Sequence, residues 1–295
     1  MDVVEAMIMT VGCIGCLTNG FAIYILLNLQ KKFTATNLLI LNQSAIDFLT
    51  SLSAIAFNLE KGENLPKQSN VLAELVCKIW SSGYLFWAFL HSSTYNLLVL
   101  TFDRYFAVMY PLKYNIFKEK IKSKVFLVSI PWITAFVVLL LWLLIHRIDE
   151  QACYTNWPSL TYQKFYGILI FTSMLIIPIS VIFFVYFKIF RTLKNRVGED
   201  SSLVSAAVVS RRLNIIKTMA IVCFTYVVCW TPNRVLVLIF VISEGNVEAF
   251  DFELIFIITT GLTMVNSCIN PIIYTFKYND FKECVHKKFK KCLCK

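Results

Sequence analysis

Asp47 lies in the middle of a long apolar stretch of sequence, where a carboxylate must be stabilised by its surroundings. An isolated charge in an apolar medium is strongly disfavoured, so the group needs a cation, a proton or a cluster of polar oxygens. Polar residues in other apolar stretches could supply that cluster: Asn19, Ser93, Asn266, Ser267 and Asn270. One interpretation is a site for a small cation such as sodium. The other is an ion-free network of hydrogen bonds between helices.

Arg234 interrupts another apolar stretch and follows Trp230 by four residues. Residues four apart lie on one face of a helix, so the two side chains are expected to be neighbours. A guanidinium at this position favours a ligand carboxylate, C-terminus or phosphate, which it can bind through paired hydrogen bonds. Alternatively, the side chain extends to the outer interface or pairs with an acid such as Glu244 or Asp251.

Histidine and cysteine do not form a recognisable metal or catalytic site. The histidines, His91, His146 and His286, show no ligand spacing with the ten cysteines, so a metal site of these residues is not predicted. An enzyme would need a nucleophile and a base that face a common cavity. His91 is the only histidine inside an apolar stretch, and we interpret it as a packed or hydrogen-bonded helix residue. The sequence favours a protein that is not an enzyme and has no cofactor other than the sodium ion considered above.

The composition points to a membrane protein. Of the 295 residues, 58% are apolar and only 16% are charged, whereas soluble domains have about a quarter charged residues. The net charge of +10 alone could suggest nucleic acid as a partner. However, Lys and Arg avoid the long stretches in which the aromatic residues lie, and a nucleic-acid-binding protein would interleave them. No nucleic-acid partner is predicted.

Seven stretches are long enough to cross a bilayer, which needs about 20 apolar residues per helix. They are 6–29, 33–59, 79–102, 125–145, 165–187, 218–242 and 254–276. Backbone polar groups cannot stay unpaired in lipid, so these stretches must be helices. The predicted fold is an all-α membrane protein, with a seven-transmembrane helix bundle in 1–276. A cytoplasmic amphipathic eighth helix and a basic tail are predicted in 277–295, on the inner leaflet lipids.

Most of the 28 Lys and Arg residues fall on one side of these stretches. Because basic loops stay in the cytoplasm, we expect a multi-pass plasma-membrane protein with its N-terminus outside and its C-terminus inside. Only Cys77 and Cys153 then lie outside, where the environment is oxidising, and we predict a disulfide between them. Cys292 and Cys294 in the tail are candidate acylation sites, and the alternative is that they are unmodified.

Short motifs follow one another along these stretches. Asn19 is in the first, Asp47 in the second, Asp103-Arg104-Tyr105 ends the third and Trp132 is in the fourth. The later stretches contain Pro178 with Tyr186, Cys229-Trp230-Thr231-Pro232 and Asn270-Pro271-Ile272-Ile273-Tyr274, and Phe281 with Lys282 follows. In order and spacing these residues resemble the rhodopsin-like (class A) family of G-protein-coupled receptors over nearly the whole chain. The chain is similar to peptide receptors, without an assigned subfamily.

The resemblance implies a ligand-driven switch that activates a heterotrimeric G protein. At rest Arg104 would bond Asp103, and on activation it would move as the sixth helix opens. Trp230 would sense ligand at the pocket floor, and Leu112 would insert into the G protein. The family's sodium site is matched by Asp47, Ser93, Asn266 and Asn270. The coupling and switch residues are Asp103, Arg104, Tyr105, Leu112, Tyr186, Trp230, Pro232, Asn270, Pro271 and Tyr274.

The chain departs from the family pattern at three positions. Cys77 lies further from Arg104 than is usual, which predicts an outer third helix that is longer or locally bulged. The usual phenylalanine one turn before Trp230 is Tyr226. No acid is available near Arg212 at the inner end of the sixth helix, and elevated basal signalling is a hypothesis that follows.

The ligand class can be narrowed from the outer ends of the helices. The outer third helix has no acid to pair with a protonated amine, which disfavours a monoamine ligand. The same helix contributes Tyr84 and Phe86 as further candidate ligand contacts. Met264 stands where opsins carry the lysine that binds retinal, so a retinal photoreceptor is excluded. Acidic outer loops favour a cationic ligand, while Arg234 favours an acidic group. A peptide satisfies both and is preferred over a lipid or a small acid. A transporter is disfavoured because no internal repeat is found.

Overall fold

The computed structural model describes residues 3–29, 34–60, 71–149, 152–197, 203–243, 252–277 and 281–286. The helices of its first half are α1 (Val3–Leu27), α2 (Ala35–Glu60), α3 (Val71–Val76), α4 (Tyr84–Met109), α5 (Pro111–Glu119), α6 (Ile121–Val138) and α7 (Leu140–Ile145). A hairpin of β1 (His146–Asp149) and β2 (Ala152–Thr155) follows. The later helices are α8 (Leu160–Phe171), α9 (Ile177–Val197), α10 (Leu203–Ile242) and α11 (Phe252–Lys277).

Six helical segments in the described part of the chain have the length and hydropathy needed to cross a membrane. They correspond to the predicted first, second, fourth, fifth, sixth and seventh spans. The predicted third span is α4, which is 26 residues long but carries many polar residues. Most of these polar side chains are buried against neighbouring helices, so α4 lies at the centre of the bundle. The seven-helix bundle predicted from the apolar stretches is confirmed.

Small residues let two pairs of helices approach closely. A Cβ atom on Gly15 of α1 would lie 2.1 Å from the Ser51 hydroxyl oxygen of α2. Similarly, a Cβ atom on Gly167 of α8 would lie 2.7 Å from a methyl carbon of Val241 in α10. Close backbone approach at small residues is a common way to pack helices in membranes, where the hydrophobic effect does not drive helices together.

The hairpin of β1 and β2 is attached to the start of the third span, and we call this end of the bundle the outer end and the opposite end the inner end. The predicted disulfide is confirmed: Cys77 and Cys153 are bonded, with their Cα atoms 5.4 Å apart. Residues Cys77–Ser81 form a π-helical turn, and Gly83 then adopts a left-handed backbone with φ of 69° before α4 begins. This local bulge absorbs the additional residues between Cys77 and Arg104. Of the two alternatives from the sequence, a bulge is therefore the one that the structure adopts.

The predicted eighth helix is described only over 281–286, where the backbone is helical. Phe281 is completely buried and packs in the core, and the Cys284 thiol lies 3.8 Å from the carbonyl oxygen of Ile25. This segment therefore docks against the inner end of α1. Cys292 and Cys294 lie outside the described residues.

Candidate functional site

A cavity of about 310 Å³ lies between the outer halves of α4, α8, α10 and α11. Its walls are mostly aromatic, and the rings are those of Trp87, Trp142, Trp157, Tyr166 and Phe256. Trp142 is held in place because its indole N–H donates to the carbonyl oxygen of Ser82, 3.0 Å away. Small-molecule sites are typically concave and largely apolar with a few polar groups, and this cavity has that character.

Arg234 is the cationic residue of the cavity wall. Its side chain is buried, with 4% of the residue exposed, and its guanidinium carbon lies 5.1 Å from the ring centroid of Trp87 and 4.9 Å from that of Trp230. Cation–π attraction to both rings offsets part of its desolvation. However, Nε and one terminal nitrogen have no hydrogen-bond partner among the described residues. Because the side chain is buried inside the bundle, it does not extend to the outer interface, and that alternative is wrong. Glu244 and Asp251, the acids named in the other alternative, lie outside the described residues.

His91 lines the same cavity one helical turn below Trp87. Its Nδ1 lies 2.7 Å from the carbonyl oxygen of Trp87, and its ring meets that of Trp230 edge to face at 6.4 Å. A carbonyl oxygen can only accept, so Nδ1 carries the hydrogen and donates it. The Nε2 atom of His91 and the hydroxyl of Tyr166 are buried without a partner in the described part of the chain. The sequence assigned neither residue to the ligand.

The sequence-predicted ligand contacts lie at different depths. Arg234 lines the cavity, and Trp230 lies beneath it in contact with Arg234 and His91. Tyr84 is buried at the α4–α6 contact, where its hydroxyl donates to the carbonyl oxygen of Phe136 at 3.3 Å. Phe86 packs edge to face on Trp87 at 5.3 Å and is not among the residues that line the cavity. The adjacent residue, Trp87, contacts Arg234 instead.

Tyr226 explains one departure from the family pattern. Its hydroxyl donates to the carbonyl oxygen of Met174, which lies in the π-helical turn Thr172–Ile176 of the fifth span. A π-helical turn disturbs the regular backbone hydrogen bonds, so a carbonyl there can accept from a side chain. The ring of Tyr226 also lies 5.6 Å from that of Trp230. Tyr226 therefore links Trp230, which lies below the cavity, to the fifth span.

Asp47 lies deeper in the bundle than the cavity and is completely buried. Both of its carboxylate oxygens accept hydrogen bonds. The Ser93 hydroxyl donates to Oδ1 at 2.8 Å, while Nδ2 of Asn270 and Nε2 of Gln43 donate to Oδ2 at 2.8 and 3.1 Å. Asn266 is also buried, on the same helix as Asn270 and one turn before it. Oxygen atoms of four residues are buried without a partner among the described residues: Asn19, Asn266, Ser267 and Asn270.

A directional chain of amides connects Asp47 to the fourth span. The Trp132 indole can only donate, and it donates to Oδ1 of Asn42 at 3.0 Å, which fixes the orientation of that amide. Asn42 then donates to Oδ1 of Asn96 at 2.9 Å, and Asn96 donates to Oε1 of Gln43 at 2.8 Å. Gln43 is thereby left with its N–H₂ facing Asp47. The sequence did not identify Gln43 or Asn96, although both are polar residues in apolar stretches.

The inner end of α4 contains an ion pair between Asp103 and Arg104, with Nε of Arg104 3.1 Å from a carboxylate oxygen of Asp103. Thr36 of α2 also donates to Asp103, at 3.0 Å, and Tyr114 of α5 donates to it at 2.8 Å. Burial raises the pKa of Tyr114 to about 12, and the adjacent Asp103 charge adds to the increase. Tyr114 therefore remains a hydrogen-bond donor at neutral pH. The bond between Arg104 and Asp103 is the one that the family resemblance implied, and its role in a switch stays a prediction.

The other predicted switch residues lie at several places in the bundle. Leu112 is 81% exposed on α5, and its insertion into a G protein stays a prediction. The Tyr186 hydroxyl lies 3.9 Å from the Cys223 sulfur, and Tyr105 packs with Val108 at the α4–α9 contact. Pro232 and Pro271 lie inside α10 and α11, where each removes a backbone hydrogen bond. The side chains of Tyr274 and Arg212 lie outside the described residues.

Comparison with known proteins extends these observations. Residues 18–274 match the family described as 7 transmembrane receptor (rhodopsin family). The chain is 27% identical to somatostatin receptor type 2 of Mus musculus, over 95% of this chain and 74% of the relative. It is 27% identical to neuropeptide receptor 22 of Caenorhabditis elegans, over 92% and 66%. It is also 26% identical to cysteinyl leukotriene receptor 2 of Mus musculus, over 94% and 88%.

Proposed function

The chain belongs to the rhodopsin family of seven-transmembrane receptors, and on that premise we propose that it binds an extracellular peptide and activates a heterotrimeric G protein. Members of this family are receptors rather than enzymes. Activation would open the cytoplasmic face at the inner ends of α4 and α10. We also propose that the N-terminus is extracellular, the C-terminus is cytoplasmic and the chain resides in the plasma membrane. The reason is that most of its basic residues fall on the side of the membrane that carries the C-terminus, and basic loops stay in the cytoplasm.

The single observation that supports a receptor most strongly is that α4 contributes to both ends of the mechanism. Its outer half lines the cavity through Trp87 and His91, and its inner end carries the Asp103–Arg104 ion pair. Trp230 and the Asp47 layer lie between them. A rigid helix that lines the ligand cavity at one end and carries Arg104 at the other can couple ligand binding to the state of the Asp103–Arg104 ion pair.

A peptide ligand is supported by the charges of the outer surface and by two relatives. The outer loops are acidic, and the cavity contains a buried guanidinium without a hydrogen-bond partner for two of its nitrogens in the described residues. A peptide can present basic side chains to the loops and an acidic group to Arg234. The relatives named for somatostatin and for neuropeptides agree with this choice, while the relative named for a cysteinyl leukotriene keeps a non-peptide acid as the second candidate.

A reporter screen tests this function directly. Cells that express the full chain with a promiscuous G protein would be exposed to a peptide library and a lipid library. We expect a peptide to raise the second-messenger signal, with no response in cells that lack the chain. A response to lipids alone would transfer the proposal to the second candidate. Solute flux or hydrolysis without any second-messenger signal would contradict the receptor assignment.

We propose that the Asp47 layer binds sodium as an allosteric ion. The unpartnered oxygens of Asn266, Ser267 and Asn270 are hard donors of the kind that a small cation prefers, and Asp47 supplies the negative charge. The ion would be held by Asp47 and Ser93 with these amide and hydroxyl oxygens. Since Gln43 already donates to Asp47, the ion must compete with a resident amide, and its affinity is expected to be modest.

Sodium is expected to raise the melting temperature of the purified ligand-free chain relative to choline at equal ionic strength. Asp47→Asn should abolish the difference, because the substitution removes the only negative charge in the described layer. Ser53→Ala, buried on the same helix but six residues from Asp47 and therefore on a different face, is the matched control and should keep the difference. An equal sodium effect in Asp47→Asn and the wild type would place the ion elsewhere.

A further inference from the structure

Three residues that line the outer cavity have buried polar atoms without a hydrogen-bond partner among the described residues. They are Arg234 with Nε and one terminal nitrogen, His91 with Nε2, and Tyr166 with its hydroxyl. The exposed fractions of these residues are 4%, 1% and 5%. Buried polar groups are nearly always paired in folded proteins, and leaving one unpaired costs free energy. A cluster of such atoms around one cavity therefore indicates where polar groups of a ligand bind.

The three side chains have different hydrogen-bonding capacities. Arg234 has only donors and is always charged, so it requires an acceptor and preferably an anion. A neutral imidazole has one donor and one acceptor, and His91 uses its Nδ1–H to donate to the carbonyl of Trp87. Its Nε2 is therefore an acceptor and requires a donor. Tyr166 can complete either type of bond. The ligand group must combine an anion with a nearby N–H or O–H.

We propose that this cavity binds the last residue of a peptide that has a free C-terminal carboxylate and an apolar side chain. The carboxylate accepts from Arg234, and the N–H of the terminal peptide bond donates to Nε2 of His91. The apolar side chain lies against the aromatic walls formed by Trp142, Trp157 and Phe256. This assignment rests on the proposed function, in that the ligand is a peptide that enters from outside.

The positions of the two residues agree with such a ligand. A carboxylate and the N–H of the same amino acid are joined through one Cα atom, so their protein partners must be neighbours. Arg234 and His91 both contact Trp87 and Trp230. The volume of about 310 Å³ is at the small end of ligand pockets, which suits a terminal residue rather than an entire peptide.

The same chemistry disfavours other acids and C-terminal amides. A fatty acid could neutralise Arg234 but has no N–H for His91, which would remain unpaired. An amidated C-terminus could donate to His91 but would leave a buried guanidinium without a counter-charge. An N-acylated amino acid with a free carboxylate satisfies both residues, and it is the smallest fragment that tests the assignment.

The experiment uses the full chain in nanodiscs without a G protein and follows its melting temperature against probe concentration. The probes are N-acetyl-L-phenylalanine, its C-terminal amide, and N-acetyl-N-methyl-L-phenylalanine, which lacks only the N–H. We expect N-acetyl-L-phenylalanine to raise the melting temperature. Loss of the charge should weaken binding about 10- to 100-fold, and loss of the N–H about tenfold.

Variants separate the two contacts. In His91→Phe, which keeps an aromatic ring beside Trp230, the preference for the N–H over the N-methyl probe should fall below about twofold, while the preference for carboxylate over amide remains. In Arg234→Gln the opposite is expected. The probe series on the unmodified chain is decisive by itself, so the test does not depend on either variant folding.

The assignment is overturned if N-methylation has no effect, if the amide binds as well as the acid, or if no probe raises the melting temperature at about 10 mM, where even millimolar affinities are detected. Because the assay contains no G protein, its outcome is independent of coupling. A chain that binds the acid probe but never promotes nucleotide exchange would keep this site and lose the receptor function. The reverse result would keep the receptor and lose this site.

Discussion

Arg234→Gln reduces the potency of an acid-bearing agonist by at least about 100-fold and leaves surface expression intact. The guanidinium is buried between two indole rings, so its loss removes a charge-assisted contact in a site shielded from water, where such truncations cost about 2–5 kcal/mol. Concentration–response curves from cells with matched surface expression measure the change. Unchanged potency would remove Arg234 from the ligand site.

The same substitution should stabilise the ligand-free chain. A buried cation that lacks hydrogen-bond partners for two of its nitrogens in the described structure is a stability cost, which a neutral residue of similar size relieves. We expect the melting temperature to rise by roughly 2 °C or more. Arg147→Gln is the matched control, because Arg147 is an exposed arginine of the outer hairpin. It should change neither potency nor melting temperature.

Arg104→Ala is expected to reduce agonist-stimulated nucleotide exchange to the ligand-free level. Arg104 is held at the inner end of α4 by Asp103 and Thr36, and its release is the step that the family resemblance assigns to activation. Agonist binding should change less than about threefold, because the cavity lies at the opposite end of the helix. Exchange assays and binding assays on the same membrane preparation separate the two quantities.

Two further variants test whether release of Arg104 from Asp103 is what promotes nucleotide exchange. Asp103→Asn should raise basal exchange, because it weakens the bonds that hold Arg104 at rest. Arg191→Ala, which removes an exposed basic residue on α9, should leave exchange close to that of the wild type. Normal stimulation in Arg104→Ala would show that the inner network does not control coupling.

The sequence identified the residues whose chemistry conflicts with an apolar environment. Asp47 and Arg234 stand out because a charge in a membrane helix has to be compensated, and this can be recognised without coordinates. The disulfide could be predicted because orientation left two cysteines outside. The spacing between Cys77 and Arg104 predicted that the outer third span is either longer or bulged, and the structure shows the bulge. In each case one strong physical constraint acts on a single position.

The ligand-facing side of the outer third helix could not be predicted in the same way. Tyr84, Phe86, Trp87 and His91 lie in the same uninterrupted helix as Arg104, so helical spacing defines their faces, but only the packing of the neighbouring helices determines which face borders the cavity. Trp87 and His91 line the cavity, whereas Tyr84 and Phe86 were expected to contact the ligand. The bond from Tyr226 to Met174 depends on the π-helical turn Thr172–Ile176, for which the sequence offers no signal.

The amide chain from Trp132 to Gln43 depends on contacts between three helices. Each residue could be recognised as polar, but the direction of the amides follows only from their arrangement in space. Tyr114 illustrates the same limit, because nothing in its sequence position indicates that its hydroxyl reaches Asp103. Patterns along the chain predict which groups need partners, and the fold determines which partners they have.

The rate of GDP release from purified heterotrimers, with the chain reconstituted in nanodiscs, tests the central claim most directly. We predict that the agonist selected by the reporter screen accelerates GDP release from at least one heterotrimer, and that Arg104→Ala eliminates the acceleration. If no heterotrimer in a complete panel releases GDP faster with any compound that binds the cavity, occupancy of the outer cavity does not open the inner face, and the proposed mechanism is wrong.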